Sequence, residues 1–104
     1  MLTPITLDAQ ALMKVEFSKR ALKFLKKLDD SQTNRIRSKI KLLKISLEQQ
    51  KALPFDELDI KKLKGNWHGY FRIRVGTIRI VFTVRFSENT IIIYDICFRG
   101  NAYD

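Results

Sequence analysis

The sequence predicts an α+β domain: an N-terminal strand, an antiparallel helix hairpin, and a C-terminal antiparallel three-stranded meander that completes one sheet. Apolar residues recur at helical spacing in the first half of the chain, and the spacing changes to two in the second half. A chain of 104 residues can bury one modest hydrophobic core. We therefore expect a single domain with its helices packed on one face of the sheet.

The predicted domain spans residues 13–104, and residues 1–12, which Pro4 interrupts, form an N-terminal appendage without clear periodicity. Residues 13–17 alternate as a short strand. Ser18 is a suitable N-cap for the first helix, whose apolar side chains form one stripe. The break at residues 29–31 caps a second helix. The apolar stripe of this second helix is formed by Ile36, Ile40, Leu43 and Leu47.

The segment from residue 52 to residue 68 contains Pro54 and Gly65 and reads as a long connection with at most one or two strand residues near its end. Three strands follow. Their predicted bounds are Tyr70–Val75, Ile78–Phe86 and Thr90–Phe98. Short turns join them, the first at Gly76-Thr77 and the second at residues 87–89.

Side chains alternate between the two faces of a strand, and this alternation predicts an arginine-lined face. The face toward the helices is predicted to hold Phe71, Ile73, Val75, Ile78, Ile80, Phe82, Val84, Phe86, Ile92, Tyr94, Ile96 and Phe98. The opposite, uncovered face is predicted to hold Tyr70, Arg72, Arg74, Arg79, Val81, Thr83, Arg85, Asp95 and Arg99. We expect Arg72, Arg74, Arg79 and Arg99 to converge on one concavity.

The formal net charge of +9 indicates an anionic partner, and residues 60–87 contain seven Lys or Arg and no Asp or Glu. Nucleic acid, an acidic protein and an anionic membrane are the usual candidates, of which the membrane fits least. No apolar run approaches the ~20 residues of a membrane-spanning helix, and the first residues lack the features of a signal peptide. We therefore expect a cytoplasmic protein.

No metal or other cofactor is expected. The carboxylates of residues 29, 30, 56, 57 and 59 are predicted to lie outside the basic concavity, which argues against a bound magnesium ion. A single cysteine, Cys97, and a single histidine cannot build a thiolate-rich site. Cys97 is interpreted as a small buried residue.

The arginine-lined face favours a ligand rich in phosphate or carboxylate. Like charges opposed across strands are destabilising by a few tenths to about 1 kcal/mol, and an anionic ligand would relieve this cost. The planar fork of a guanidinium matches a phosphate group. Trp67, Tyr70 and Tyr103 could stack on unpaired bases, at ~1 to 3 kcal/mol per base, although the first two could equally be ordinary half-buried aromatics. RNA fits this pattern well.

Several motifs resemble the RelE/ParE superfamily of toxins from type II toxin–antitoxin modules. These are FSKRALKFLKKL near the start, KLKG, YFRIRVGTIRIVFTV, and a strand that ends in Arg99 with Tyr103 four residues later. The resemblance covers residues 13–104. RelE-like members cut messenger RNA, typically in the ribosomal A site, whereas ParE-like members poison DNA gyrase. The resemblance is nearer to the RelE-like members.

For the site, the resemblance implies RNA-backbone contacts by Arg72 and Arg74, stabilisation of the scissile phosphate by Arg79, and a catalytic pair formed by Arg99 and Tyr103. Lys64 of the KLKG segment and Tyr70 are further RNA-binding candidates. The implied reaction is metal-independent attack of an RNA 2′-OH on the adjacent phosphate, which leaves a 2′,3′-cyclic phosphate and a 5′-hydroxyl.

The general base is open between Tyr103, whose ionised form neighbouring arginines would favour, and His68 in the loop before the arginine strand. An arginine cannot serve, because its pKa lies above 12. Some relatives have lysine in place of Arg72 or Arg74. Others have histidine just before the C-terminal arginine, where this chain has Phe98.

The resemblance also implies partners: a cognate RelB-like antitoxin, the ribosome and messenger RNA. The basic surface of the second helix, residues 35–44, could dock the antitoxin or ribosomal RNA, or could simply be solvated. Two other functions stay open from the residues, namely a ParE-type DNA gyrase inhibitor without nuclease activity and an RNA-binding homologue without catalysis.

Overall fold

The computed structural model describes residues 12–99, which form two α-helices and a five-stranded sheet. The strands are β1 (Lys14–Phe17), β2 (Ile60–Lys62), β3 (Phe71–Val75), β4 (Ile78–Arg85) and β5 (Thr90–Phe98). The helices are α1 (Lys19–Leu25) and α2 (Asp30–Gln50). The predicted α+β class is confirmed. The predicted appendage lies outside the described residues except for Leu12.

The strand order in the sheet is β1-β5-β4-β3-β2. The chain's first strand lies at one edge, parallel to β5, and the other neighbouring strands are antiparallel. β2 was not foreseen as a full strand; it pairs with β3 along the register Ile60–Ile73 to Lys62–Phe71. The meander is thereby extended by one strand on the side of β3.

Side chains cap both helices at their N-termini, as the sequence predicts. The Ser18 hydroxyl accepts a hydrogen bond from the backbone N–H of Ala21 at 3.1 Å, and Asp29 accepts one from Gln32 at 2.8 Å. α1 ends at Leu25, and Asp29 adopts the extended backbone that lets its side chain cap α2. α2 ends at Lys51 in the left-handed region, with φ 53°.

The core lies between α2 and one face of the sheet. α2 contributes the four side chains predicted from its spacing, Ile36, Ile40, Leu43 and Leu47. The sheet contributes Ile73, Val75, Ile78, Ile80, Phe82, Ile91, Ile93 and Ile96. The faces predicted for β3 and β4 are therefore confirmed as far as Arg85, and the arginine face is the one turned away from this core. The prediction was wrong for Phe86, which lies beyond the end of β4 in a 3₁₀ turn and is 61% exposed.

For β5 the predicted faces are wrong in the first half of the strand. Ile91 and Ile93 are fully buried, whereas Ile92 and Tyr94 were expected in the core. The cause is a β-bulge: Val81 pairs with Asp95 while Phe82 pairs with Ile93, so Tyr94 is an extra residue that shifts the alternation by one.

Beyond the bulge, the predicted face of Ile96 is confirmed. Phe98 packs edge-on against Phe24 of α1, with ring centroids 5.0 Å apart, yet it stays 51% exposed.

Neither helix within residues 12–99 combines the length and the apolar character that crossing a bilayer requires.

Candidate functional site

The register of the sheet aligns the arginines in rows across the strands. Arg74 of β3 lies directly opposite Arg79 of β4, and Arg79 lies opposite Cys97 of β5. In the next row Arg72 lies opposite Val81, which lies opposite Asp95. The structure thus brings together the predicted site residues Arg72, Arg74 and Arg79.

Two of these arginines are buried although their face is turned away from the core. Arg72 and Arg79 are each 4% exposed, whereas the Arg74 side chain is 38% exposed. A buried guanidinium is costly unless charges and hydrogen bonds offset its desolvation. The expectation of one open concavity is therefore wrong at these two positions.

Asp59 lies against Arg72 and Arg74, which corrects the expectation that its carboxylate lies outside the basic site. Its carboxylate is 3.5 Å from Nη1 of Arg72 and 3.9 Å from Nε of Arg74. Its backbone carbonyl accepts a 2.8 Å hydrogen bond from the same Nη1. Asp59 adopts φ 50°, a left-handed conformation that directs both acceptors toward β3.

Asp95 is a second carboxylate on the arginine face, on the side where it was predicted. It is 6% exposed and is the diagonal neighbour of Arg79 across β4 and β5. Arg20 of α1 places Nε 3.6 Å from Asp95, and its guanidinium lies 5.7 Å from the ring centre of Tyr94. Arg20 was not foreseen at the site.

Arg99 lies at the end of β5 with an exposed side chain. Its backbone N–H donates a 2.8 Å hydrogen bond to the carbonyl of Thr77, which ties the chain to the β3–β4 turn. Alternation after Cys97 places Arg99 on the arginine face, near the Arg74–Arg79 row. Tyr103, the other half of the predicted catalytic pair, lies outside the described residues.

Lys64, His68 and Tyr70 belong to the opposite end of the arginine face. Tyr70 precedes β3, so at about 3.3 Å per residue it lies roughly 13 Å along the chain from Arg74. Lys64 and His68 are exposed and flank the short 3₁₀ turn Gly65–Trp67.

The half-buried rings of Trp67, Tyr70 and Tyr94 pack on one another here, with centroids 5.3 to 5.7 Å apart. The structure does not bring this group together with Arg79.

Within residues 12–99 no group of three or more His, Cys, Asp or Glu side chains could hold a metal ion. Cys97 is buried, as predicted, and lies opposite Arg79 in the register of β4 and β5. The chemistry that Arg72, Arg74 and Arg79 themselves offer is that of fixed cations. Guanidinium groups held by a sheet can bind a phosphate and stabilise negative charge that develops on it.

Sequence reasoning missed Asp59, Arg20 and Tyr94 as parts of the site. Arg20 and Asp95 are 75 positions apart in the chain and meet only because α1 follows β1 alongside β5. The one available signal for Arg20 was its place in the basic α1 segment.

A basic face of buried and exposed arginines on this α+β fold is what the RelE/ParE superfamily resemblance implies. The profile of the family described as the ParE toxin of the type II toxin-antitoxin system, parDE, matches residues 15–103. The chain belongs to the RelE/ParE superfamily of toxins of type II toxin–antitoxin systems, and among these it is RelE-like.

Three archaeal proteins are among the relatives that this chain resembles. Toxin RelE3 of Methanocaldococcus jannaschii is 40% identical over 92 residues, which cover 88% of this chain and 97% of that protein. A crystal structure of the RelE–RelB complex from Pyrococcus horikoshii superimposes with a TM-score of 0.68 at 25% identity, over 88% of this chain and 100% of that one. The RelB–RelE antitoxin–toxin complex from Methanococcus jannaschii superimposes with a TM-score of 0.59 at 37% identity, over 86% of this chain and 95% of that one.

Proposed function

We propose that this toxin is a ribosome-dependent endoribonuclease that cuts messenger RNA and so inhibits translation. The observation that carries the proposal is the cross-strand pair of Arg74 and Arg79, whose second member is buried in the sheet. A rigid strand holds this guanidinium, so little reorganisation would be needed when a phosphate gains charge. The 40% identity to a RelE toxin supports the same assignment.

In the proposed reaction, the 2′-oxygen of one nucleotide attacks the adjacent phosphorus. The new bond is between the 2′-oxygen and phosphorus, and the bond broken is between phosphorus and the 5′-oxygen. The 5′-oxygen takes up a proton from water as it leaves, so the products are a 2′,3′-cyclic phosphate and a 5′-hydroxyl. Arg79 and Arg99 stabilise the charge on the non-bridging oxygens. Arg72 and Arg74, with Lys64 and Tyr70 further along the face, hold the flanking RNA.

Tyr103 is the proposed general base, which accepts the proton of the 2′-hydroxyl. Arginine cannot do so near neutral pH. The position of His68 supports this choice, because it lies before β3 at the end of the face remote from the Arg74–Arg79 row. No cofactor takes part in this scheme.

The proposed partners are a RelB-like antitoxin, the ribosome and messenger RNA, and the proposed location is the cytoplasm, where translation occurs. Solved complexes of RelE with RelB that resemble this chain support the antitoxin. The net charge of +9 favours RNA and acidic protein segments alike. The proposed domain bounds remain residues 13–104, with residues 1–12 as an appendage.

The test is to add purified protein to a reconstituted translation reaction and to map message ends by primer extension, with Tyr103→Phe in parallel. We expect cuts within codons, only when ribosomes are present, and their loss in the variant. An uncut message with normal translation would refute the ribonuclease. Inhibition of gyrase-catalysed supercoiling by the same preparation would then support the ParE-type alternative.

A further inference from the structure

A groove of about 500 Å³ runs between α1 and the second half of β5. We call it the α1–β5 groove. Four cations line it, Arg20, Lys23, Lys27 and Arg99, and among its described lining residues Asp95 is the one acid. This excess of positive charge lies outside the row formed by Arg74 and Arg79, so the groove is a second candidate site for binding phosphate groups.

The two walls of the groove are fixed to each other. The backbone N–H of Ser18, just before α1, donates to the carbonyl of Ile93 at 2.9 Å, and the Ser18 hydroxyl donates to the carbonyl of Tyr94. These bonds hold the start of α1 against β5. Arg20 is held in turn by the carboxylate of Asp95 and the ring of Tyr94. The two walls of the groove are therefore fixed by the fold, and the exposed Lys23 and Lys27 lie along one of them.

An aromatic side chain lies among these cations. Phe98 is 51% exposed and is supported from below by Phe24, whose ring meets it edge-on at 5.0 Å. An exposed, supported ring beside cations is the arrangement that binds unpaired bases, since the ring stacks and the cations contact the backbone. An acidic peptide would use the cations but has less need of the ring.

The groove also opens beside the proposed reaction centre. Arg99 belongs to both, and Cys97, which lines the groove, is the cross-strand partner of Arg79. A strand of RNA lying along α1 would thus reach Arg79 without turning across the sheet.

We propose that the α1–β5 groove binds the single-stranded RNA next to the scissile phosphate, with backbone phosphates on Lys23, Lys27 and Arg20 and a base on Phe98. This rests on the proposed function. It adds a binding role for α1 that the strand arginines do not provide.

The first test compares two double variants, each with one lysine in α1 and one in the turn just after it, that make the same charge change. Lys23→Gln with Lys27→Gln removes two groove cations, and Lys19→Gln with Lys26→Gln removes two exposed cations that do not line the groove. The measurement is fluorescence anisotropy of a labelled single-stranded RNA against salt concentration. For the Lys23→Gln, Lys27→Gln variant, the groove double, we expect about tenfold weaker binding. The slope of log affinity against log salt concentration should be smaller by about 1.4, as the loss of two phosphate contacts on a single strand requires. The matched double should change less than about twofold.

The second test addresses the ring. Phe98→Leu should weaken RNA binding about fivefold or more with an unchanged salt slope, because stacking is lost and no charge changes. Phe86→Leu, at a ring that is 61% exposed elsewhere on the surface, is the control and should bind as wild type.

Equal affinities of the two lysine doubles, or no binding of RNA by the wild type at low salt, would overturn the proposal. So would a groove double that binds RNA normally but loses binding to a labelled polyglutamate peptide, which would assign the groove to a protein partner. If the wild type cuts messages but the two double variants bind RNA with equal affinity, the groove proposal fails and the proposed function stands. If the wild type cuts no message in the translation reaction, the proposed function fails.

Discussion

Asp59 contacts Arg72 twice, through its backbone carbonyl at 2.8 Å and its carboxylate at 3.5 Å from the same nitrogen. The carbonyl orients the guanidinium, whereas the carboxylate supplies a negative charge that a bound phosphate would also supply. Under the proposed function, Asp59 therefore both positions Arg72 and competes with RNA for it.

Replacing Asp59 by asparagine separates these roles. Asparagine tolerates the left-handed backbone at φ 50°, and the backbone carbonyl that accepts from Arg72 is unchanged, so only the side-chain charge is lost. We expect RNA to bind about two- to fivefold more tightly, the range that an exposed ion pair is worth. Asp56→Asn makes the same charge change at an exposed neighbour and is the control. Equal RNA affinities of the two variants, measured by anisotropy, would contradict the competition.

Lys51 ends α2 in the left-handed region at φ 53°, where a side chain is strained and glycine is not. Lys51→Gly should raise the free energy of unfolding by about 0.5 to 1 kcal/mol, because relief of strain exceeds the added freedom of the unfolded chain. Lys51→Ala removes the same charge but keeps the strain, and it should give no such gain in urea denaturation. A gain of equal size in both variants would assign the effect to charge instead.

Glu48 joins α2 to the start of the domain. Its carboxylate accepts hydrogen bonds from Nζ of Lys44 at 2.7 Å and from the backbone N–H of Met13 at 2.8 Å. The bond from Lys44, and then the bond from Met13, lower the pKa of Glu48 below its usual range. Its stabilising contribution is present above the unfolded glutamate pKa of about 4.3, and it is lost as pH falls through the lower folded-state pKa.

Glu48→Gln should accordingly be less stable than the wild type at pH 7, by about 1 to 3 kcal/mol, and the difference should shrink on acidification below about pH 4. Unfolding curves of both proteins across this pH range measure it. Lys44→Gln should flatten the pH dependence by removing the main cause of the shift. A difference between wild type and Glu48→Gln that stays constant down to pH 3 would contradict the assignment.

The sequence predicted what strict alternation and helical spacing determine. The faces of β3 and β4 follow from the alternation of side chains along a strand, so the placement of Arg74 and Arg79 on one face could be predicted from the sequence. The run IIIYDICF of β5 is nearly all apolar and lacks clean alternation, so nothing in it marks Tyr94 as the bulged residue, and the faces predicted for Ile92 and Tyr94 were wrong.

Contacts between distant segments were the other limit of sequence reasoning. Asp59 reaches Arg72 through a left-handed backbone conformation, and Arg20 reaches Asp95 through the packing of α1 on β5. Neither the backbone conformation nor the packing has a sequence pattern of its own. The role of Tyr103, outside residues 12–99, stays a prediction.

The most direct test of the central claim, that Arg79 stabilises a scissile phosphate, is the rate at which the Arg79→Lys protein cuts a message on the ribosome. Lysine keeps the charge and most of the buried aliphatic stem but lacks the guanidinium fork. We predict a rate about 100-fold below wild type, as for loss of one oriented donor to a charged transition state. Arg85→Lys, on the same face of β4 but exposed and 4.0 Å from Glu88, should cut within about twofold of wild type. A folded Arg79→Lys protein that cuts as fast as the wild type would contradict the account.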